Sequence, residues 1–163
     1  MLHDEPQGTW QHALECKAHW AARLLDGSKT IEIRAYALPD DLLGTPIALV
    51  ATEGPEGQAT LGEMVLAGQP DGQVVRLCAM VGGDYVHGTQ VGEVVFHANK
   101  EYKTAEDFWS DEAQHGVQRG SAYGWNPANT TYGWCVSQRL PCCAPLPVPA
   151  MTRLHRSLYA KKQ

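Results

Sequence analysis

The sequence lacks the features that mark membrane-spanning, secreted and nucleotide-triphosphate-binding chains. No apolar run approaches the roughly 20 residues that a bilayer-spanning helix needs. The start of the chain, Met1–Pro6, carries neither the basic nor the apolar region of a secretory signal. No Gly-x-Gly-x-x-Gly run opens a helix and no Gly-Lys-Ser/Thr run is present, which argues against dinucleotide-binding and P-loop folds. We therefore expect a cytoplasmic protein with no membrane partner.

Cysteine and histidine are too scattered for a metal site. No Cys-x-x-Cys pair occurs among the five cysteines, and no His-x-x-x-His pair occurs among the seven histidines. An odd number of cysteines without a secretory signal is typical of reduced thiols inside the cell. The sequence thus predicts neither a metal nor another cofactor.

Acidic residues are absent from residues 113–163. All 18 lie in residues 1–112, whose formal charge is −11, whereas the rest of the chain carries six basic residues. This asymmetry indicates an anionic partner for one face of the protein, although a solvated basic tail would give the same count. Because the net charge of the whole chain is −5, we expect no preference for duplex DNA, whose binding depends on neutralising phosphates.

The hydrophobic pattern predicts a single domain of the α+β class over residues 1–163. Periods of two and of 3.6 residues predict strands at 9–16, 30–34, 46–52, 91–97 and 132–139, and helices at 18–26 and 104–114. Residues 53–88 have the turn chemistry of an inserted hairpin, and residues 141–163 form a proline-rich, basic C-terminal extension. Since strands and helices do not alternate, we expect a small mixed or antiparallel β-barrel with two or three helices packed at its ends.

The strand predicted at 30–34 combines charges in an unusual way. Its residues alternate strictly, with two isoleucines on one side and Thr30, Glu32 and Arg34 on the other. We expect the isoleucines to be buried and the polar side to face a solvent-filled cavity. Lys29 lies at the mouth of this strand, so three charged groups are expected to meet there.

A lysine, a carboxylate and a guanidinium in one cleft suit a nucleotide ligand. Arg34 offers a planar donor fork for a phosphate, and Glu32 can accept a hydrogen bond from the exocyclic amine of a base. Arg34 is expected to be held rigidly by its strand, whereas Lys29, at the end of a turn, is expected to be a more mobile charge. The alternative is a surface ion pair between Glu32 and Arg34, worth about 0–1 kcal/mol.

A glycine-rich loop, Gly120–Pro127, adds aromatic side chains to this prediction. Tyr123 and Trp125 of the loop and Trp20 of the first predicted helix are candidates for stacking on a nucleobase, and Ser121 is a candidate polar contact. A lid that packs over the edge of the core explains the loop equally well. The sequence leaves both interpretations open.

The run Gly27–Arg34 resembles the signature of the ASCH domain, a branch of the PUA-like superfamily. In that family a tryptophan-containing helix precedes a Gly-x-Lys-x-x-Glu-x-Arg strand; here the helix is represented by His19–Ala21, in which histidine replaces the usual proline. The strand Val91–Val94 and the closing strand Tyr132–Trp134 extend the resemblance, which covers most of residues 10–147. It implies a PUA-like β-barrel whose cleft is lined by the motif.

The resemblance also implies a protein that binds RNA or a modified nucleoside. The ligand-binding residues expected from this cleft and its loop are Lys29, Glu32, Arg34, Trp20, Ser121, Tyr123 and Trp125.

Two other functions remain open. One branch of the family hydrolyses the amide of N4-acetylcytidine with a lysine, a threonine and a glutamate. Lys29 matches the lysine, whereas Glu32 occupies the threonine position, and the second acidic residue is expected at about His115–Gly116, where the sequence has no acid. A hydrolase of this amidohydrolase type or of the ribonuclease type would use Lys29 and Glu32 as catalytic residues. A protein-interaction adaptor would use the prolines of residues 141–149.

Overall fold

The computed structural model describes residues 10–52, 80–81, 85–86, 89–147, 149 and 151–161. Nine strands lie within these ranges: β1 (His12–Lys17), β2 (Ile31–Arg34), β3 (Pro46–Thr52), β4 (Met80–Val81), β5 (Tyr85–Val86), β6 (Thr89–Tyr102), β7 (Thr131–Pro147), β8 (Met151–His155) and β9 (Leu158–Lys161). The same ranges contain three α-helices: α1 (Ala18–Asp26), α2 (Ala105–Ser110) and α3 (Glu112–His115). The expected inserted hairpin at 53–88 falls mostly outside the described residues, which include only the short antiparallel pair of β4 and β5.

Helix α1 has the bounds that its apolar spacing predicts. Ala18, Ala21, Leu24 and Leu25 form its buried side. Gly27, with φ of 86°, adopts the left-handed conformation that ends a helix without a Cβ penalty. The helix therefore delivers the chain directly into the turn that carries Lys29.

The helix predicted at 104–114 is split into α2 and α3. Thr104 caps α2, and its side chain accepts a hydrogen bond from the Asp107 N–H at 3.1 Å, as the capping pattern predicts. Asp111 interrupts the helix because its carboxylate accepts hydrogen bonds from Lys100 at 2.6 Å and from the Tyr102 hydroxyl at 2.7 Å, both on β6. These tertiary contacts fix the position of α3.

Seven of the strands form one mixed sheet in the order β2-β7-β6-β3-β1-β9-β8. Strands β1 and β3 are parallel, and the other neighbours are antiparallel. Within the described ranges the edge strands β2 and β8 do not pair, so the expected closed barrel is not formed. Strand β2 has only four residues, too few for a continuous ladder. A side chain, not a ladder, connects β2 to β1: Arg34 on β2 donates to the main-chain oxygen of Glu15 on β1 at 3.2 Å.

Strand β7 continues past the predicted end at residue 139. Beyond residue 135 its outer side is not covered by β2, which pairs only with residues 132–135. Proline is tolerated on such an open edge because no ladder bond needs its missing N–H. Pro141 and Pro147 therefore lie opposite β6 within the sheet.

The end of the chain returns to the sheet as a hairpin. Strands β8 and β9 lie within residues 141–163, which were expected to form an extension, and β9 pairs with β1. Met151, Leu158 and Tyr159 are buried there. Apolar burial thus makes this segment part of the main sheet.

In the described part of the chain, every helix falls short of the length and apolar character that a membrane crossing requires.

Helix α1 packs closely against β6 at Gly92. A Cβ atom at this position would lie 2.6 Å from Leu25 Cδ2 and 2.9 Å from the Leu140 main-chain oxygen. Gly92→Ala is expected to lower the free energy of unfolding by about 1–3 kcal/mol, the usual range for overpacking. Urea denaturation measures this loss.

A double-variant cycle tests whether the Leu25 side chain is what a Cβ atom at position 92 would clash with. Leu25→Ala removes the nearest atoms, so Leu25→Ala combined with Gly92→Ala should lose less stability than the two single variants together. Strictly additive losses would show that Leu25 does not limit the approach of α1.

Candidate functional site

A cavity of about 530 Å³ opens between β2, the loop that follows α3, and the β8–β9 turn. This volume lies within the range of small-molecule sites, roughly 300–1,000 Å³. Five of the residues expected to bind ligand line it: Lys29, Glu32, Arg34, Trp20 and Tyr123. The fold thus brings the motif, α1 and the aromatic loop to one place.

The Glu32 carboxylate lies between two cations. Its Oε2 is 2.7 Å from Arg34 Nη2 and also accepts a hydrogen bond from Arg34 Nε at 2.8 Å. Its Oε1 is 3.6 Å from Lys29 Nζ. The Glu32 and Arg34 side chains are only 5% and 17% exposed, so this is not the surface ion pair considered as an alternative. A buried pair of this kind is sensitive to the loss of either partner.

Lys29 is buried and tethered, contrary to the expectation of a mobile charge. Its side chain is 2% exposed, and Nζ donates to the main-chain oxygen of His115 at 2.5 Å. The ammonium also lies 4.6 Å from the centre of the Trp20 ring. Burial lowers the pKa of Lys29 below its usual range, and the nearby Glu32 carboxylate opposes that shift. Lys29 joins β2 to the end of α3.

Arg34 uses its guanidinium inside the protein. Besides Glu32, it donates through Nη1 to Ser157 Oγ and through Nη2 to the Glu15 main-chain oxygen. Burial alone would lower the pKa of Arg34, but the Glu32 carboxylate, its hydrogen bond to the guanidinium and the nearby Cys16 and Tyr36 together raise it. The fork that was expected to hold a phosphate is therefore largely occupied by protein groups.

His115 supports this arrangement as a neutral imidazole. Its Nδ1 accepts a hydrogen bond from the Val117 N–H at 3.0 Å, so Nε2 carries the proton and donates to the Phe108 main-chain oxygen at 2.9 Å. The ring is fully buried and stacks on Phe108, with centroids 4.2 Å apart. Burial lowers the pKa of His115. The residue therefore positions the carbonyl that receives Lys29.

The loop contributes differently from what its sequence predicts. Ser121 and Trp125, both expected at the ligand, do not line the cavity. Trp125 packs on Phe108 with ring centroids 5.7 Å apart, and exposed Ser121 accepts the Tyr123 N–H at 3.3 Å. Apolar packing therefore draws Trp125 to the core edge, and Tyr123 is the loop aromatic at the cavity.

Strand β2 departs in part from its expected two-sided pattern. Ile31 is buried, as its alternation predicts, and Glu32 and Arg34 line the cavity. Thr30 does not line it, whereas Ile33 does. Thr30 is drawn aside because its main-chain N–H donates to the Gln114 oxygen at the end of α3 and its own oxygen accepts from Val136.

Several residues of the cavity were not identified from the sequence. Lys17, Asn126, Arg156 and Ser157 line it. Ser157 and Arg156 belong to the β8–β9 turn, far along the chain from the motif, so no local spacing connects them. The only sequence signal was the excess of basic residues in 113–163.

The cavity offers little for metal or thiol chemistry. The described residues include no cluster of three or more His, Cys, Asp or Glu side chains suited to a metal ion. Burial raises the pKa of Cys16 to about 12, and the charge of Glu32 contributes in the same direction. A thiol with that pKa is a poor nucleophile near neutral pH.

Comparison with known proteins finds similar structures but no similar sequences. No family model and no curated protein matches this chain. A crystal structure of ASCH from Zymomonas mobilis aligns with a TM-score of 0.50 at 12% identity, over 93% of this chain and 87% of that one. The crystal structure of a serine-to-alanine mutant of ZmASCH, from the same organism, aligns with a TM-score of 0.50 at 13% identity, over 86% and 74%. This chain has an ASCH-like fold. The similarity concerns the fold alone; it confirms the ASCH-like fold that the Gly27–Arg34 motif predicted, but not the closed barrel.

Removal of the Glu32 charge should destabilise the ASCH-like domain strongly. Glu32→Gln leaves two buried cations without their carboxylate, which is expected to cost about 3–5 kcal/mol of unfolding free energy. Glu112→Gln is the matched control, because Glu112 pairs with Arg119 at an exposed site with side chains 44% and 64% exposed. That variant should lose about 0–1 kcal/mol. If denaturation curves of the two variants give similar losses of unfolding free energy, Glu32 does not stabilise the fold as a buried partner of Lys29 and Arg34.

Stability of the ASCH-like domain should fall as the solution becomes acidic. The pKa of His115 is lowered below its ordinary value of 6.5 in the folded state, so below about pH 6.5 the unfolded chain binds a proton that the folded chain does not. His115 thus favours folding fully above that pH and progressively less as the pH falls towards its folded-state pKa. Burial also lowers the pKa of His19, which adds to the same trend.

Thermal melts between about pH 7 and pH 5 measure this dependence. The melting temperature of His115→Gln should fall less steeply with decreasing pH than that of the wild type, even though the variant starts lower. His97→Gln, at an exposed position, should keep the wild-type slope. A wild-type slope in His115→Gln would contradict the assignment.

Proposed function

We propose that this ASCH-like domain binds RNA or a modified nucleoside, with one base held in the cavity. The observation that carries the proposal is Glu32 Oε1. Glu32 lines the cavity, and its Oε1 is 3.6 Å from Lys29 Nζ, a distance at which the oxygen keeps hydrogen-bonding capacity. A carboxylate oxygen is an acceptor for the exocyclic amine of a base.

Aromatic side chains support the same ligand class. Tyr123 is 44% exposed at the cavity, so its ring is accessible to a ligand. It meets Trp20 edge to face, with centroids 6.0 Å apart. Lys29 lies over the Trp20 ring, so Trp20 acts as a wall and Tyr123 as the surface on which a base stacks.

The charge of the cavity supports an anionic ligand. Four basic residues, Lys17, Lys29, Arg34 and Arg156, line it together with two acidic ones, Glu15 and Glu32. The cavity is therefore positive although the whole chain has a net charge of −5. A small positive site on an acidic protein suits a single strand better than a duplex, whose binding depends on many phosphate contacts.

A hydrolase is the second candidate, and one observation favours it. Burial lowers the pKa of Lys29, as in lysines that act as bases or nucleophiles. However, Nζ is engaged by the His115 oxygen at 2.5 Å and would have to leave it in order to react. Binding thus needs less rearrangement than catalysis. The adaptor alternative loses its basis in part, because Pro141 and Pro147 are engaged in the pairing of β7 with β6.

Equilibrium titration tests the proposal directly. Wild-type protein should bind single-stranded RNA, cytidine or N4-acetylcytidine more tightly than duplex RNA at about 0.15 M salt, where distant charges are screened. Product analysis of the same mixtures separates binding from hydrolysis. If no nucleoside and no RNA binds, the proposal is wrong.

Tyr123 provides the sharpest variant. Tyr123→Ala should weaken binding by about 1–3 kcal/mol, the usual worth of one base–aromatic stack, whereas Tyr123→Phe should retain most of the affinity because it keeps the ring. Leu154→Ala is the control, since Leu154 is 52% exposed but does not line the cavity. Equal affinities of the alanine variants for single-stranded RNA would exclude stacking on Tyr123.

A further inference from the structure

Two of the four basic residues around the cavity have side chains with no hydrogen bond or ion pair in the part of the chain that the structure describes. Lys29 and Arg34 share the Glu32 carboxylate and are bonded to main-chain oxygens. Lys17 is half-buried and Arg156 is exposed, and both line the cavity. The positive charge available to a ligand therefore comes from Lys17 and Arg156 and not from the motif itself.

The backbones that carry these two cations are brought close together by the pairing of β1 with the β8–β9 turn. The Glu15 N–H donates to the Ser157 main-chain oxygen at 2.8 Å, which places the β8–β9 turn against β1. Arg156 precedes Ser157 in that turn. Lys17 follows Glu15 by two residues on β1, about 6.6 Å further along the strand. The fold thus joins two distant parts of the sequence at one charged edge.

The backbone of Arg156 is held in a left-handed conformation, with φ of 41°. This region is uncommon for a residue with a long side chain, and such positions persist only where the surroundings enforce them. Both neighbouring residues are anchored. The ring centroids of His155 and Tyr36 are 4.1 Å apart, and Ser157 Oγ accepts a hydrogen bond from Arg34. The turn is thereby fixed at the cavity with its guanidinium uncommitted.

We propose that Lys17 and Arg156 form a phosphate subsite, so that the ligand of this cavity is a nucleotide, free or within RNA, rather than an uncharged nucleoside. This inference rests on the proposed function and deepens it. A terminal phosphate carries nearly two negative charges near neutral pH, which two unpaired cations match. The buried part of the cavity, where Lys29 and Arg34 are held by Glu32, then serves the base, and the rim serves the phosphate.

Matched ligands and matched variants test this division. The four ribonucleosides, their 5′- and 3′-monophosphates and inorganic phosphate alone are titrated against wild-type protein. The monophosphates are expected to bind about tenfold more tightly than the nucleosides, as expected for a charge-assisted contact. Lys17→Gln and Arg156→Gln should abolish this gain and leave nucleoside affinity unchanged. Arg153→Gln is the control, because Arg153 lies three residues away on β8 and contacts Tyr159 rather than the cavity.

A structural role of Arg156 is tested in parallel. Arg156→Lys should retain the phosphate gain, and Arg156→Asn should lose it while keeping the melting temperature, since asparagine tolerates left-handed backbone. If Arg156→Asn unfolds early, the residue serves the turn and the inference is wrong.

The remaining outcomes separate this inference from the proposed function. Nucleosides that bind as tightly as their monophosphates overturn the phosphate subsite alone. An equal loss in Arg153→Gln also overturns it, because the effect is then general charge. Inorganic phosphate that binds as tightly as the nucleotides would indicate a free-phosphate site. Failure of every nucleoside and nucleotide to bind would overturn the proposed function as well.

Discussion

A buried carboxylate holds the open sheet together at the cavity. Glu32 pairs with both Lys29 and Arg34, and each of these cations then bonds to a different part of the fold. Lys29 reaches the end of α3, and Arg34 reaches β1 and the β8–β9 turn. Charged groups are costly to bury. We infer that these three groups fix the relative positions of the elements more than they add to net stability. Through these two cations, the four-residue strand β2 is connected to α3, to β1 and to the β8–β9 turn, although its only ladder among the described residues is with β7.

This arrangement separates the cavity into two layers with different chemistry. At the floor Glu32 holds both cations of the motif, and Glu32 Oε1 is the group with remaining capacity. At the rim Lys17 and Arg156 keep their charge. Because groups that are satisfied within the protein have little left to offer a ligand, most of the sequence motif is best understood as the frame of the site. Apart from the Glu32 Oε1 contact, the contacts that select a ligand are expected to come from residues around the motif.

The residues that sequence analysis placed correctly are those governed by local rules. The period of α1 and the stop at Gly27 depend on neighbouring residues only, and the alternation at Ile31 and Glu32 follows from the strand itself. The misplaced ones depend on distant partners. Trp125 was expected at the ligand but packs on Phe108, and the single helix expected after Thr104 is broken where Asp111 bonds to β6.

The sequence by itself determined the α+β class, the ASCH-like motif and the strand that carries Glu32 and Arg34, because apolar periodicity and short turns are local properties. Only the tertiary structure decided that the sheet stays open, that Lys29 is buried and that the β8–β9 turn forms the cavity edge. These features arise from contacts between distant parts of the chain: Lys29 meets His115, 86 positions later, and β1 meets β9 and the turn before it, more than a hundred positions later. Spacing along the chain carries no information about such contacts, which depend on how buried charges and apolar surfaces are satisfied in three dimensions.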